Sequence, residues 1–223
     1  MGHKVHPLSF RLGITETWRS RWFGRKNFAE ILKEDENIRK FLQEKLKKAA
    51  VEKIVIERMA NLVTVSIFSG RPGMVISRSG TGIEDIKKQL KPMLKYATEI
   101  KIDVNEVKDP ETSAAIVARE IAEQIEKRIG WKRALKRMLE TVIFKRGIKG
   151  VKIAVSGRLD GAEMGRREWL AKGKIPLHTL RAIIDFARDT AFTTYGAVGI
   201  KVWIYKGEIF EEKSKSKNQI AKP

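Results

Sequence analysis

Between residues 28 and 49 the side chains Phe28, Ile31, Leu32, Ile38, Phe41, Leu42, Leu46 and Ala49 recur at helical spacing, which predicts an amphipathic helix. Lys45, Lys47 and Lys48 fall in its last turn, where cations favour the helix dipole. The pattern then changes to period two. Ile54 and Ile56 alternate with Val55 and Glu57, and Val63, Val65 and Ile67 alternate with Thr64 and Ser66. Residues 53–59 and 62–68 therefore read as strands joined by a tight turn at Ala60-Asn61. A glycine-rich loop over 69–82 leads into a helix over 83–96. That helix carries Ile83, Ile86, Leu90, Met93 and Leu94 on one side and Lys87, Lys88, Lys91 and Lys95 elsewhere. A strand over 99–104 closes the unit.

A linker over 105–110 ends in Asp109-Pro110, a helix start with the aspartate as N-cap and proline in the first turn. Val117, Ile121 and Ile125 carry this helix to about residue 129, and Gly130 breaks it. The next helix, over 131–146, has Trp131, Ala134, Leu135, Met138, Leu139, Val142 and Ile143 on one face. Lys132, Arg133, Lys136, Arg137 and Lys145 stand opposite them. After Gly150 period two returns. Residues 152–156 and 200–205 read as strands, with Ile200, Val202 and Ile204 inward and Lys201, Trp203 and Tyr205 outward. The segments 166–172 and 180–188 lie between them. The second also fits a helical spacing, but its sheet surroundings favour a strand. Residues 211–223, in which Lys213, Lys215 and Lys217 alternate with serines, read as a disordered tail. The organisation expected is an extension over 1–27, a unit over 28–105, a second over 106–210 and the tail over 211–223, α+β throughout.

Charge changes the picture most. The 223 residues hold 46 Lys and Arg against 27 Asp and Glu, a net charge of +19. A compact fold so charged repels itself unless a polyanion neutralises it, and nucleic acid does so with release of counterions. An anionic membrane is the rival. No apolar run approaches the roughly 20 residues a spanning helix needs, and the opening Met1-Gly2-His3-Lys4-Val5-His6-Pro7 is polar and basic, unlike a signal peptide. There is no cysteine, so disulfides and cysteine-held zinc or iron–sulfur clusters are excluded, and a cytoplasmic protein is expected.

The charge is not spread evenly. In the helix over 131–146, Lys132/Lys136 and Arg133/Arg137 are like-charge pairs four residues apart, which cost energy unless an anion lies over them. The plain alternative is a solvated helix face. In the extension, Lys4, Arg11, Arg19, Arg21, Arg25 and Lys26 are interleaved with Phe10, Trp18, Trp22 and Phe23. That mixture suits a segment lying on RNA, rings on bases and cations on phosphates; alternatively the rings pack on the protein's own core. The loop over 70–82 lacks a P-loop lysine pattern, and Gly80-x-Gly82 has no third glycine at dinucleotide spacing. It suits a backbone approach to single-stranded nucleic acid; the plain alternative is an ordinary turn before a helix. Catalysis has little to build on: His3, His6 and His178 lack metal-ligand spacing, and Asp160 with Glu163 or Asp185 with Asp189 offer paired carboxylates for which solvated or ion-paired acids are the commoner reading. No cofactor is expected.

Several blocks together carry a family resemblance. Met1-Gly2-His3-Lys4-Val5-His6-Pro7 with Arg11-Leu12-Gly13-Ile14, then Ile54-Val55-Ile56-Glu57-Arg58, resemble the bacterial ribosomal proteins numbered three of the small subunit. So do Ser156-Gly157-Arg158-Leu159-x-Gly161-Ala162-Glu163, Arg167-Glu168-Trp169, Pro176-Leu177-His178-Thr179-Leu180-Arg181-Ala182, Thr193-Thr194-Tyr195-Gly196 and Gly199-Ile200-Lys201-Val202-Trp203-Ile204. The resemblance covers about residues 1–210. It implies an N-terminal type II KH domain and a C-terminal α/β domain with two helices packed on a small, mostly antiparallel sheet. It implies a place on the head of the small subunit, bound to small-subunit rRNA beside neighbouring head proteins and lining the channel by which mRNA enters. Lys132, Arg133 and Lys136 fall on the family's basic positions facing incoming mRNA, associated with unwinding it. The KH signature Gly-x-x-Gly is matched by Ser77-Arg78-Ser79-Gly80, so its first glycine is serine, and little RNA affinity is expected from this loop. Lys4, His6, Arg71, Arg158, Arg166, Arg167 and Arg137 complete the residues expected to meet RNA. The competing readings are a free-standing KH regulator of mRNA and a nucleic-acid lyase or nuclease.

Overall fold

The structure, a computed structural model, describes residues 4–24, 27–59, 61–77, 80–94 and 99–210. In chain order they form α1 (Pro7–Phe10), β1 (Ser20–Arg21), α2 (Phe28–Lys45), β2 (Val51–Arg58), β3 (Leu62–Ser69), α3 (Pro72–Ile76), α4 (Thr81–Leu90), β4 (Glu99–Glu106), α5 (Ala114–Glu126), α6 (Trp131–Ile143), β5 (Gly150–Gly157), β6 (Arg166–Gly173), β7 (Ala182–Thr193) and β8 (Gly196–Glu208). The fold is α+β, with two four-stranded sheets in the orders β1-β2-β3-β4 and β6-β5-β8-β7.

In the first sheet β3 pairs antiparallel with β2 and parallel with β4, while the two residues of β1 add a parallel edge to β2. The alternation read in the sequence becomes its inner face: Ile54, Ile56, Val63, Val65 and Ile67 pack with Ile38, Leu42, Ile86 and Leu90 of α2 and α4. Each such aliphatic side chain contributes roughly 1.5–3 kcal/mol when removed from water. The second sheet is antiparallel throughout. Val151, Ile153, Val155, Ile200, Val202 and Ile204 meet Val117, Ile121, Leu135, Met138 and Val142, so α5 and α6 cover one face of the sheet. On the opposite face Ala182, Ile184 and Tyr205 form a smaller cluster with Ile175, Leu177 and Trp203.

Several boundaries differ from expectation. Residues 1–27 read as nearly patternless, yet they hold α1 and β1. The loop over 69–82 contains α3, with Pro72 in its first turn, where the missing N–H costs nothing. Helix α4 stops at Leu90, because Pro92 lacks the N–H that would continue it; Lys91–Met93 form a 3-10 turn instead. Asp109-Pro110 opens only the 3-10 turn Pro110–Thr112. The long helix starts at Ala114, whose backbone N–H donates to Asp185 Oδ2 at 2.8 Å, a cap supplied by β7. It ends at Glu126, three residues before the expected stop. Arg128 then takes a left-handed φ of 61°, and Gly130 serves as N-cap of α6. The turn residue Ala60, the expected helix end at Tyr96 and the tail over 211–223 lie outside the described residues.

Candidate nucleic-acid interface

The amphipathic pattern of α6 determines which way its cations point. Trp131, Ala134, Leu135, Met138, Leu139 and Val142 are buried against the second sheet. The 3.6-residue repeat therefore turns Lys132, Arg133, Lys136 and Arg137 outward, where all four are exposed. They line a shallow depression together with Glu140. No carboxylate lies within ion-pair distance of any of the four among the described residues. Lys132 Nζ rests 5.5 Å from the Trp131 ring centroid, and the guanidinium of Arg166, from β6, lies 5.8 Å from the same ring. The structure thus brings Arg166 beside the start of α6, an adjacency the sequence does not reveal.

Arg11 requires a correction. The interleaved cations and rings of the extension place it on RNA, but it is fully buried. Its Nε donates to the Ala182 carbonyl at 2.7 Å and Nη1 to Pro7 at 3.0 Å. Nη2 reaches the carbonyls of Leu177 and Thr179 at 2.9 Å and of Pro176 at 3.3 Å. A guanidinium has five N–H donors; here its three nitrogens meet five backbone carbonyls, three of which share the two hydrogens of Nη2. Arg11 is therefore a clasp between the N-terminal segment and the second sheet, with no surface to offer a phosphate.

The clasp places its neighbours. His6 caps α1, its Nδ1 accepting from the Ser9 N–H at 3.4 Å, and its ring stands edge-on to Phe186 at 4.8 Å. Partial burial, and then Arg188 and Arg19, lower its pKa below the ordinary histidine value. Lys4 is exposed nearby. Lys152 on β5 has its pKa lowered by burial and then by the positive charges of Lys4 and Arg167. Cations from four separate stretches of sequence therefore share one region.

The aromatic residues of the extension divide. Trp22 packs inward, donating from Nε1 to Asp35 Oδ2 at 2.9 Å. Asp35 is fully buried; it also accepts from Ser20 Oγ at 2.8 Å and from Arg58 Nε at 2.8 Å, and Arg58 pairs with Glu34 at 2.8 Å. This buried ion cluster holds β1 and Trp22 on the first sheet. Trp18 and Phe23 are exposed. Of the basic residues there, Arg19 is exposed and Arg21 pairs with Glu57 at 3.3 Å, while Arg25 and Lys26 lie outside the described residues.

The KH-type loop is only partly described, since Arg78 and Ser79 fall outside. Ser77 has φ 60° and ψ −173°, and Gly80 has φ 80°. Ser77 thus adopts a backbone conformation that favours glycine, at the position where glycine is missing from the signature. A Cβ on Gly82 would stand 2.7 Å from the Val75 carbonyl oxygen, so α4 can approach α3 only with glycine there. Arg71 is exposed beside this loop. Arg158 is exposed too, its Nε donating to the Ala162 carbonyl at 2.9 Å, and it lines a groove of about 440 Å³ with Arg128, Phe192 and Tyr195.

Sequence reasoning missed Arg128, Lys152 and Arg188 as members of the basic surface. Lys201 reads as outward from the alternation, but which residues flank it depends on strand register. Among the described residues no group of three His, Asp or Glu side chains is placed to hold a metal, and no helix is long and apolar enough to cross a membrane.

Comparison with known proteins agrees with this architecture. The profile described as "Ribosomal protein S3, C-terminal domain" matches residues 121–204, and the KH domain profile matches residues 37–112. The chain is 50 % identical to small ribosomal subunit protein uS3 of Myxococcus xanthus over 213 residues, 96 % of each chain. It is 48 % identical to that of Desulfitobacterium hafniense over 213 residues, again 96 % of each. With that of Desulfatibacillum aliphaticivorans it shares 47 % over 222 residues, 99 % of this chain and all of the relative.

Proposed function

The chain belongs to the family of small ribosomal subunit protein uS3, and from that premise we propose that it binds small-subunit rRNA in the head of the subunit and presents the basic face of α6 to incoming mRNA. As a member of that family it is a structural, RNA-binding component of the translation machinery rather than an enzyme. Its partners are then rRNA and neighbouring ribosomal proteins, and its location is the ribosome, in the cytoplasm. The units expected over 28–105 and 106–210 are the two working parts, each with its own apolar core.

One observation carries the mRNA reading. Lys132, Arg133, Lys136 and Arg137 stand exposed, with no carboxylate partner among the described residues, directly opposite a buried stripe. Such crowding costs a few tenths of a kcal/mol per like-charge pair in a free helix. A polyanion laid along the face removes that cost and gains counterion release. The fold does not need these charges, since the apolar face alone holds α6 in place.

Replacing Lys132, Arg133 and Lys136 together by alanine tests this. Thermal stability and incorporation into small subunits should be near normal. The salt slope of single-strand binding should fall by about 2, at roughly 0.7 per phosphate contact. Translation through a stable mRNA hairpin on the side where mRNA enters should slow. Unchanged hairpin passage sinks the mRNA reading; loss of assembly makes these residues rRNA anchors instead. A free-standing KH regulator would not cosediment with small subunits after a high-salt wash, whereas this chain should.

A further inference from the structure

Among the described residues, part of one face of the second sheet is left uncovered. Helices α5 and α6 cover the opposite face, and the segment held by Arg11 covers one end of this one. Beyond that end, strand register aligns residues into two adjacent rows. Trp169, Ala154, Lys201 and Arg188 lie side by side across β6, β5, β8 and β7; Ala171, Lys152, Trp203 and Phe186 form the next row, which borders the covered end and finishes at the buried Phe186 beneath His6. Neither row contains an acid. The nearby Asp185 and Asp189 alternate to the helix-covered side, where they cap Ala114 and pair with Arg119.

Trp169 is 56 % exposed on the edge strand. Lys152 Nζ sits 4.6 Å from its ring centroid and 5.7 Å from that of Trp203. One ammonium is thus held between two indoles, while much of the Trp169 ring remains open to solvent. Lys201 and Arg188 are cross-strand neighbours of like charge, an arrangement that is destabilising until an anion joins it. A protein segment could match the charge, but a large open ring among cations on a sheet is what an unpaired nucleotide uses: the base stacks and its phosphates meet the cations.

We infer that the bare face of the second sheet is a stacking platform for an unpaired RNA nucleotide, with the base on Trp169 and the flanking phosphates on Lys201 and Arg188. This rests on the reading of the chain as an rRNA-binding protein, and it names the kind of RNA that the face takes. A fully paired duplex hides its base faces, so the platform discriminates single strands without regard to base identity.

The test uses the full chain with a single-stranded oligouridine and a duplex of equal length. Trp169→Ala should weaken oligouridine binding about fivefold to a hundredfold, the range typical of one lost stacking contact, and leave duplex binding unchanged. Trp169→Phe should retain most of the affinity. Because an alanine variant can misfold, the wild-type chain is also photocrosslinked to a 4-thiouridine oligomer, which should label the tryptic peptide 168–172. If Trp169→Ala folds and binds oligouridine like the wild type, or the crosslink falls elsewhere, the platform is overturned. If that variant binds RNA normally but fails to enter small subunits, the face is a protein interface, and the inference is equally overturned. Failure of the underlying reading looks different: the wild-type chain itself would bind neither RNA, and the Lys132, Arg133 and Lys136 triple variant would change nothing.

Discussion

Replacing Arg11 should destabilise the protein without directly removing an RNA contact. The side chain is fully buried and satisfies the carbonyls of Pro7, Pro176, Leu177, Thr179 and Ala182 at 2.7–3.3 Å. Among the described residues no carboxylate pairs with it; the stabilisation comes from charged hydrogen bonds, each worth about 1.5–3 kcal/mol and not additive. Truncation to alanine removes a donor from all five carbonyls, of which that of Thr179 still accepts from the Ala182 N–H at 3.2 Å; the cost is roughly 1–3 kcal/mol for each that is left unpaired and buried. Undocking of residues 4–11 lets water reach them, which caps the loss near the docking energy of the segment. A net cost of about 3 kcal/mol is the reasonable outcome, and it lowers the melting temperature by roughly 6–12 °C in a chain of this size. Arg11→Lys should lose most of the same stability, because three donors on one nitrogen do not span five acceptors contributed by two separate stretches of chain. Thermal melts followed by circular dichroism, with limited proteolysis after Lys4 and around 175–181, provide the assay. If Arg11→Ala melts within a degree or two of the wild type and its only change is a shallower salt slope of RNA binding, Arg11 is a phosphate contact and not a clasp.

Two further substitutions probe the first sheet and its loop. Ser77→Gly relieves a backbone conformation costing about 1–3 kcal/mol for a non-glycine residue, partly offset by the flexibility of glycine in the unfolded chain; the melting temperature should rise by a few degrees with subunit assembly intact, and a lower one would show that the serine side chain makes a contact the fold needs. Asp35→Ala breaks the buried cluster with Arg58, Ser20 and Trp22, which should cost about 3–5 kcal/mol and red-shift the Trp22 emission as the indole N–H turns to water; a loss below 1 kcal/mol would mean that β1 is held by something else.

What is legible in the sequence is what is periodic. Helix α6 repeats its apolar positions over nearly four turns, so both its buried stripe and its opposite row of cations follow from residue spacing alone. The alternation in β3 and β8 identifies inner faces in the same way. What spacing does not carry is the joining of distant segments. Arg11 stands among basic and aromatic residues that look alike whether they face RNA or the core, and only the fold, by bringing residues 176–182 to residue 11, decides between the two. The cap of α5 comes from Asp185, seventy-one residues downstream of the N–H it satisfies, so the local signal at Asp109-Pro110 starts the helix too early. The basic face around Trp169 is the same problem on a larger scale. Lys152, Trp169, Arg188 and Lys201 are unremarkable singly, each an ordinary outward residue of an antiparallel strand. They become a surface only through a register set by the buried residues between them, since a slip of one position would turn every one of them inward. The apolar alternation that builds the core is therefore also what assembles the cations on the other side, and a substitution that shifts the register of β5 against β8 should disperse that surface even with every charge retained.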